Sequence, residues 1–316
     1  MRARPGQEQR AGDVTAPDSA ALEAWFDEHR RDLPWRHRDT SPWGVLVSEV
    51  MSQQTPVARV APLWQQWMAR WPTPADLAEA DTGEVLRLWG NLGYPRRALR
   101  LIECARAVVA RHGGRLPADF DELLALPGVG HYTAGAVMAF AYGRRALTLD
   151  TNVRRVLARA VGGQALPAPS LGRAERHRAE AVLPRDDARA ARWSMAVMEL
   201  GALVCTAKDP RCPQCPWQPG CAWVAVGRPA DAHAERRRVQ AWHGTDRQAR
   251  GMVMARLRNA DPGRALTRAE LLAAAAGAGA RAAGGGDPGQ PERALATLEA
   301  DGLIVSLDGG QSFALP

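Results

Sequence analysis

Four of the five cysteines crowd into one short segment with the spacing C-x6-C-x2-C-x5-C: Cys205, Cys212, Cys215 and Cys221. Zinc ribbons usually present two short C-x2-C pairs separated by a long insert, which this segment lacks. Four thiolates in one compact loop can instead bind a [4Fe–4S] cluster, in which each iron takes one sulfur. The spacing therefore favours an iron–sulfur cluster over zinc, with disulfides a more distant alternative. The fifth cysteine, Cys104, is expected to be a lone buried thiol.

Two carboxylates occupy positions suited to acid and electrostatic catalysis. Glu49 lies in SEVMSQQT, among apolar helical neighbours, where burial would raise a carboxyl pKa toward that of a general acid. Asp150 lies in LTLDTNVRRVLAR, directly before a helix, where it could hold a cation that develops on a sugar. An acid and an anion flanking a glycosidic bond are what cleavage through an oxocarbenium-like state requires. The alternatives are a solvated glutamate on a helix face and an aspartate that only caps a helix.

The segment ALPGVGHYTAG, residues 125–135, predicts a corner between two helices with glycines at Gly128 and Gly130. Glycines let backbone N–H groups point outward at a helix N-terminus, where the helix dipole also favours an anion. A plain helix–helix corner with glycines for tight packing is the alternative. The net charge of +7, with Lys208 the only lysine among 41 basic residues, favours a phosphate-bearing partner.

The elements that carry these residues are helices. Apolar residues recur at three- and four-residue spacing from about residue 20 to 204, whereas strand alternation is nearly absent. Residues 1–17 are polar and are expected to be disordered. Beyond Cys221, an Arg-rich stretch (228–258), a low-complexity stretch expected to be flexible (273–290) and two strands joined at Asp308–Gly309 predict a small winged-helix-like module. No secretory signal or membrane-spanning run is recognisable, so a cytoplasmic protein is expected.

Seven segments, in this order and at these distances, resemble the adenine DNA glycosylases (the MutY family). They are LPWR, SEVMSQQT, LWGNLGY, LPGVGHYTAGA, LDTNVRRVLAR, MELGALVC and the cysteine loop. The family belongs to the helix-hairpin-helix superfamily, together with endonuclease III. The resemblance covers residues 20–225 and implies a glycosylase domain over 18–225, with a six-helix barrel at about 45–150 and a cluster subdomain made of 18–44 and 151–225. A basic linker and the winged-helix-like module would fill residues 226–316.

The resemblance implies a monofunctional enzyme of base excision repair, acting on double-stranded DNA as a nucleoid-associated monomer. It would flip adenine mispaired with 8-oxoguanine or guanine out of the duplex and hydrolyse its N-glycosidic bond. Glu49 would protonate the adenine ring and later activate or position water, while Asp150, with Asn152 alongside, would stabilise the sugar cation or bond to it transiently. A [4Fe–4S] cluster held by the four cysteines is the implied cofactor. Tyr132 stands where endonuclease III-like lyases have the lysine that forms a Schiff base, so base removal without strand cleavage is expected.

The resemblance also assigns residues to DNA contacts. Those implied to fill the gap and wedge the duplex are Gln53, Gln54 and Tyr94. Those implied to lie near 8-oxoguanine are Thr55 and Leu92. Those implied to wall the adenine pocket are Trp35, Arg36 and Met51. The hairpin Gly128–Gly130 would hold a backbone phosphate.

The sequence departs from the family pattern at three places. Pro95 replaces a tyrosine that is common after Tyr94, and Met195 replaces a Gln or Glu that can contact adenine. Residues 230–316 lack the strand-rich length of the Nudix-like domain that reads 8-oxoguanine in many family members, and the Arg-rich stretch could add phosphate affinity instead. The competing hypotheses are a thymine mismatch glycosylase, an endonuclease III-like lyase and an iron–sulfur DNA-binding regulator; SEVMSQQT and LPWR favour adenine.

Overall fold

The computed structural model describes residues 18–237, 242–278 and 287–316. Within them helices dominate and the strands are short, so the predicted all-α class is confirmed. The described residues of Met1–Asp32 and Met138–Arg238 form one compact unit, the cysteine unit. Those of Leu33–Val137 and Val239–Pro316 form a second, the hairpin unit. Residues 1–17, expected to be disordered, lie outside the described residues, and the domain boundaries drawn from the sequence remain predictions.

The hairpin unit contains the residues predicted to wedge DNA and to protonate adenine. Its first helices are α2 (Pro42–Ser52), α3 (Val57–Arg70), α4 (Pro74–Ala78), α5 (Thr82–Trp89), α6 (Arg96–His112), α7 (Phe120–Leu124) and the start of α8 (His131–Phe140). Ser41 caps α2, because its hydroxyl accepts from Gly44 N at 3.1 Å and Pro42 supplies the fixed φ of the first turn. Trp67 packs edge-on against Trp71 and Trp89 at the centre of the apolar core.

The C-terminal part of the hairpin unit has the element order predicted for a winged helix. It runs α13 (Asp246–Asn259), β1 (Leu266–Thr267), α14 (Arg268–Ala276), α15 (Gln290–Ala300), β2 (Val305–Leu307) and β3 (Ser312–Ala314). The predicted hairpin at Asp308–Gly309 is confirmed, and both residues have positive φ. The sheet order is β1-β3-β2 and antiparallel throughout, and β1 is a strand that the sequence did not reveal because only two residues pair.

The low-complexity stretch 273–290, expected to be flexible, begins and ends in helices. Its first residues, 273–276, are the last turn of α14, so the expectation of a flexible segment is wrong there. Alanine is the best helix former, and runs of it continue a helix that a capping box at Thr267 and Glu270 has started. Residues 279–286 lie outside the described residues.

The described part of the cysteine unit contains five complete α-helices and the loop that carries the four cysteines. They are α1 (Ser19–His29), α9 (Thr151–Ala160), α10 (Arg173–Val182), α11 (Asp187–Leu203) and α12 (Ala222–Ala225). The core joins α1, α9 and α11, with Leu22, Val156 and Leu200 essentially inaccessible to solvent. The carboxylate of Glu199 is fully buried and receives two side-chain bonds from Arg31, at 2.7 and 3.0 Å. Among the described residues of both units, no helix is long and apolar enough to cross a membrane.

Candidate active site

Glu49 lies in the most buried stretch of the hairpin unit. Every residue from Trp43 to Met51 of α2 is buried, and Glu49 itself is 9% exposed. The hydroxyl of Tyr132, in the first turn of α8, donates to Glu49 Oε2 at 2.8 Å. A buried carboxyl needs such a partner, because an unsatisfied one costs several kcal/mol. The alternative of a solvated glutamate on a helix face is therefore wrong.

Asp150 caps the N-terminus of α9 and is also held from a second side. Its Oδ1 accepts from Val153 N at 2.7 Å, which is the ordinary capping bond, and its Oδ2 accepts from Asn152 Nδ2 at 2.8 Å. Burial raises the pKa of Asp150 above its ordinary value, and these two bonds, with the nearby charge of Arg155, offset only part of that rise. The capping role is real, but it uses only one of the two carboxylate oxygens.

Asn152 is in turn fixed by a buried arginine that reaches the cysteine loop. Arg155 donates to Asn152 Oδ1 at 2.9 Å, to Gly201 O at 2.6 Å and to Cys205 O at 2.7 Å. Because Arg155 bonds Asn152 through its oxygen, the amide nitrogen of Asn152 is turned toward Asp150. A continuous hydrogen-bonded chain therefore links the first cysteine of the loop to the Asp150 carboxylate within the cysteine unit.

Two loops of the hairpin unit, residues 53–55 and 90–95, are called the wedge loops below. Gln54 and Tyr94 have left-handed backbone conformations, with φ of 54° and 46°. Such conformations cost non-glycine residues free energy and are concentrated at functional sites. Thr55 and Leu92, both predicted to lie near 8-oxoguanine, contact each other, since the Thr55 hydroxyl donates to Leu92 O at 3.0 Å.

Arg97 holds the two wedge loops together. Its guanidinium lies 5.2 Å from the Trp89 ring centroid and 5.7 Å from that of Tyr94, and burial lowers its pKa to about 10. Its acceptors, at 2.6–3.3 Å, are the carbonyl oxygens of Val50, Met51, Gln53, Leu92 and Gly93 and the hydroxyl of Thr55. One side chain thus satisfies carbonyl groups at the end of α2 and in both loops.

The predicted corner between helices is present between α7 and α8. Gly128 has φ of +77°, and a Cβ there would lie 2.9 Å from Arg100 Cβ, so both conformation and space require glycine. Gly130 is exposed, and a Cβ there would meet no atom within 4 Å. The corner therefore presents an open, glycine-lined surface at the N-terminus of α8.

The four clustered cysteines line one cavity of about 290 Å³ including its mouth. Arg159, which is buried, lines the same cavity and donates to Cys205 Sγ at 3.4 Å. The Arg159 guanidinium carbon also lies 4.7 Å from the centroid of the Trp223 ring. Among the described residues, no three His, Cys, Asp or Glu side chains converge closely enough to hold one metal ion.

A family profile described as HhH-GPD superfamily base excision DNA repair protein matches residues 47–180. An adenine DNA glycosylase of Mycobacterium tuberculosis is 49% identical over 310 residues, which are 96% of this chain and 96% of that protein. The chain belongs to the adenine DNA glycosylase family. The human adenine DNA glycosylase is 44% identical over 66% of this chain and 39% of the human protein. A solved thermostable thymine-DNA glycosylase superposes with a TM-score of 0.60 at 28% identity, covering 66% of this chain and 95% of that one.

Membership of this family confirms the resemblance stated from the sequence, and it confirms an enzyme rather than a non-enzymatic DNA-binding regulator. The predicted DNA-contacting roles of individual residues remain predictions. Of the residues implied to wall the adenine pocket, Met51 is fully buried. Trp35 and Arg36 lie in one 3-10 turn, and the Trp35 ring packs edge-on against Trp64. Met195 is half-buried on α11 and packs against the core of the cysteine unit. Cys104 is buried as expected.

Three arginines that support candidate functional residues were not predicted from the sequence: Arg97 in the hairpin unit, and Arg155 and Arg159 in the cysteine unit. Two of them lie four residues apart on α9, on a helix whose remaining buried positions are apolar. An arginine at a core-facing position of an amphipathic helix is the signal that could have revealed them, because a buried charge needs partners. For Arg97 no such signal exists, since the residue lies in an Arg-rich helix start that resembles a solvated face.

Proposed function

We propose that the protein removes adenine mispaired with 8-oxoguanine or guanine in double-stranded DNA by hydrolysing the N-glycosidic bond. The observation that carries the proposal is the buried Glu49 carboxyl held by the Tyr132 hydroxyl at 2.8 Å. It gives the chain an oriented acid on a rigid helix, as proton transfer to a leaving base requires. Identity of 49% to a protein named adenine DNA glycosylase supports adenine as that base.

Glu49 acts as the acid because protonation turns the adenine ring into a better leaving group. Its position among apolar residues of α2 keeps water away from the proton until adenine enters. After donation the carboxyl becomes an anion, and the hydrogen bond from Tyr132 strengthens at that moment, since bonds to charged acceptors are roughly twice as strong as neutral ones. The same carboxylate can then orient the attacking water.

Asp150 supplies the negative charge that the departing sugar needs. Both of its oxygens are held by nitrogen donors, so the carboxylate needs no reorganisation when positive charge develops on the sugar. Its raised pKa shows that desolvation outweighs these bonds, which leaves the anion incompletely neutralised in the free protein. A developing cation in a region of low dielectric therefore gains more from Asp150 than it would from an aspartate in water.

Excision without strand cleavage follows from the residue at position 132. A phenol cannot form the Schiff base through which a lyase breaks the backbone, whereas a lysine amine can. The single lysine of the sequence, Lys208, lies in the cysteine loop. The wedge loops and the glycine-lined corner would hold the duplex, with strained backbone at Gln54 and Tyr94 and open backbone around Gly130.

We infer that Cys205, Cys212, Cys215 and Cys221 would hold a [4Fe–4S] cluster. Four thiols that line one cavity provide the sulfur ligands that a four-iron cube needs, one for each iron. When bound, the cluster would cross-link the loop through four iron–thiolate bonds. Arg159 offers its N–H to the Cys205 sulfur, a contact that stabilises a thiolate ligand.

The test is base release from four duplexes that carry adenine opposite 8-oxoguanine, adenine opposite guanine, thymine opposite guanine, or thymine glycol. We expect adenine to be released from the first two, and strands to break only after alkali or heat. Glu49→Gln should abolish release and leave DNA binding largely intact, whereas the matched Glu79→Gln, at an exposed site of the same unit, should keep full activity. Release of thymine but not adenine, or an active Glu49→Gln, would refute the proposal.

A further inference from the structure

Three planar side chains form an exposed cluster where the winged-helix-like module meets a wedge loop. Arg247, in the first turn of α13, places its guanidinium carbon 4.9 Å from the Tyr94 ring centroid and 5.0 Å from the Trp242 ring centroid. Tyr94 is 39% exposed and Trp242 is 45% exposed, among the few large hydrophobic residues so exposed in the described part of the chain. These three residues are called the aromatic platform.

The platform is held in place by its supporting structure. The carbonyl of Trp242 accepts from the Thr245 hydroxyl at 2.8 Å, and Thr245 also caps α13. The Trp242 indole packs beside Gly251 of α13, where a Cβ would lie 3.8 Å from the ring atom Cη2. On the other side, Arg97 fixes the loop of Tyr94. Hydrogen bonds thus fix the backbone of Trp242 and the loop that carries Tyr94, and backbone that is already fixed reduces the entropy cost of binding.

The module itself is anchored to the helix that follows the wedge loop. Asp301, at the end of α15, pairs with Arg96 at 3.2 Å and with Arg250 at 2.6 Å, joining α6, α13 and α15. The Arg87 side chain also donates to Asp261 O at 3.4 Å. Because these contacts lie within one compact unit, the platform and the wedge loops form parts of a single surface.

We propose that the aromatic platform binds the nucleotide opposite the excised adenine. Exposed rings interleaved with arginine on a chain of net charge +7 are typical of surfaces on which unstacked bases lie. When adenine leaves the stack, the base opposite it loses its hydrogen-bonding partner at the wedge loops. Trp242 offers that base a stacking face, and Arg247 beside it can donate an N–H to O6, the acceptor that guanine and 8-oxoguanine share.

This inference rests on the proposed function, because it names the substrate group read beside the same site. It assigns binding of the opposite base to two residues of a module whose described part contains three short strands. The structural reason is proximity: the platform includes Tyr94 itself, so a base that fills the gap at this loop lies within reach of Arg247.

The experiment measures dissociation constants for duplexes whose adenosine carries a 2′-fluorine, which resists cleavage. The opposite position holds 8-oxoguanine, guanine or an abasic tetrahydrofuran. The wild type should bind the base-bearing duplexes more tightly than the abasic one, and Arg247→Ala and Trp242→Ala should each reduce that ratio about tenfold. Trp242→Phe keeps an aromatic face and should largely preserve the ratio.

Arg256→Ala is the matched control, since Arg256 is exposed on the same helix nine residues further on and therefore on its opposite face. It should weaken the binding of all three duplexes by the same factor, so that the ratio of base-bearing to abasic affinity is unchanged. The proposal is overturned if the wild type shows no such preference, if Arg247→Ala behaves as Arg256→Ala does, or if Trp242→Phe loses as much as Trp242→Ala. Because binding is measured without cleavage, the result is independent of whether wild-type protein releases adenine, which tests the proposed function separately.

Discussion

The substitution Tyr132→Phe removes one hydroxyl and tests how much the hydrogen bond from Tyr132 to Glu49 contributes to base release. The substitution keeps the ring in the first turn of α8 and deletes only the donor that lies 2.8 Å from Glu49 Oε2. A hydrogen bond to a carboxylate anion is roughly twice as strong as one to a neutral acceptor. The deleted bond therefore has most of its value after Glu49 has given up its proton.

The expected loss follows from that difference. A neutral hydrogen bond contributes about 0.5–1.5 kcal/mol and one to a charged group about 1.5–3 kcal/mol, so the transition state loses about 1–2 kcal/mol more than the ground state. Since 1.36 kcal/mol corresponds to a tenfold change in rate, base release should slow about 5- to 30-fold. DNA affinity should not change, because the hydroxyl is engaged by Glu49 in the free protein.

The assay is single-turnover release of adenine opposite 8-oxoguanine with enzyme in saturating excess. Tyr142→Phe, which deletes the same group elsewhere, is the control and should react at the wild-type rate. A wild-type rate for Tyr132→Phe would refute the reasoning, and a loss beyond about 1,000-fold would mean that the phenol itself transfers a proton.

Three further predictions concern Asp150 and two supporting arginines. Asp150→Asn should abolish base release while its melting temperature at pH 7 stays at or above the wild-type value. The raised pKa means that ionised Asp150 costs stability, so this difference should vanish below about pH 4, where the carboxyl is protonated in both states. Arg97→Met should lower the free energy of unfolding by about 2–4 kcal/mol in urea titrations and speed hydrogen exchange in the wedge loops; unchanged exchange would contradict its role. Arg155→Gln should slow base release about tenfold with absorbance near 400 nm retained, because Asn152 loses its partner and the cysteines are untouched; a wild-type rate would count against the hydrogen-bonded chain.

Local patterns in the sequence were enough for the fold class and for several positions in the site. Helical periodicity identified the helices, because each buries one face against the core. Glycine at 128 could be read as a conformational requirement, and the structure gives it φ of +77°. The cysteine spacing identified a loop whose four thiols do line one cavity.

Other features depend on which polar groups meet across the fold, and no local pattern encodes that. The bond between Tyr132 and Glu49 joins residues 83 positions apart, and Arg97 reaches carbonyl groups 44 to 47 positions away at the end of α2. Even the status of Glu49, buried rather than solvated, emerged only with the packing of α2.

The sequence by itself therefore determined the helical class, the grouping of four cysteines in one loop and the residue types available for an acid and an anion. The tertiary structure alone decided how those groups are oriented and which arginines support them. The physical reason is that periodicity reports which face of an element is buried. The partner that satisfies a buried charge is chosen by long-range packing, where hydrogen-bond geometry is fixed in three dimensions.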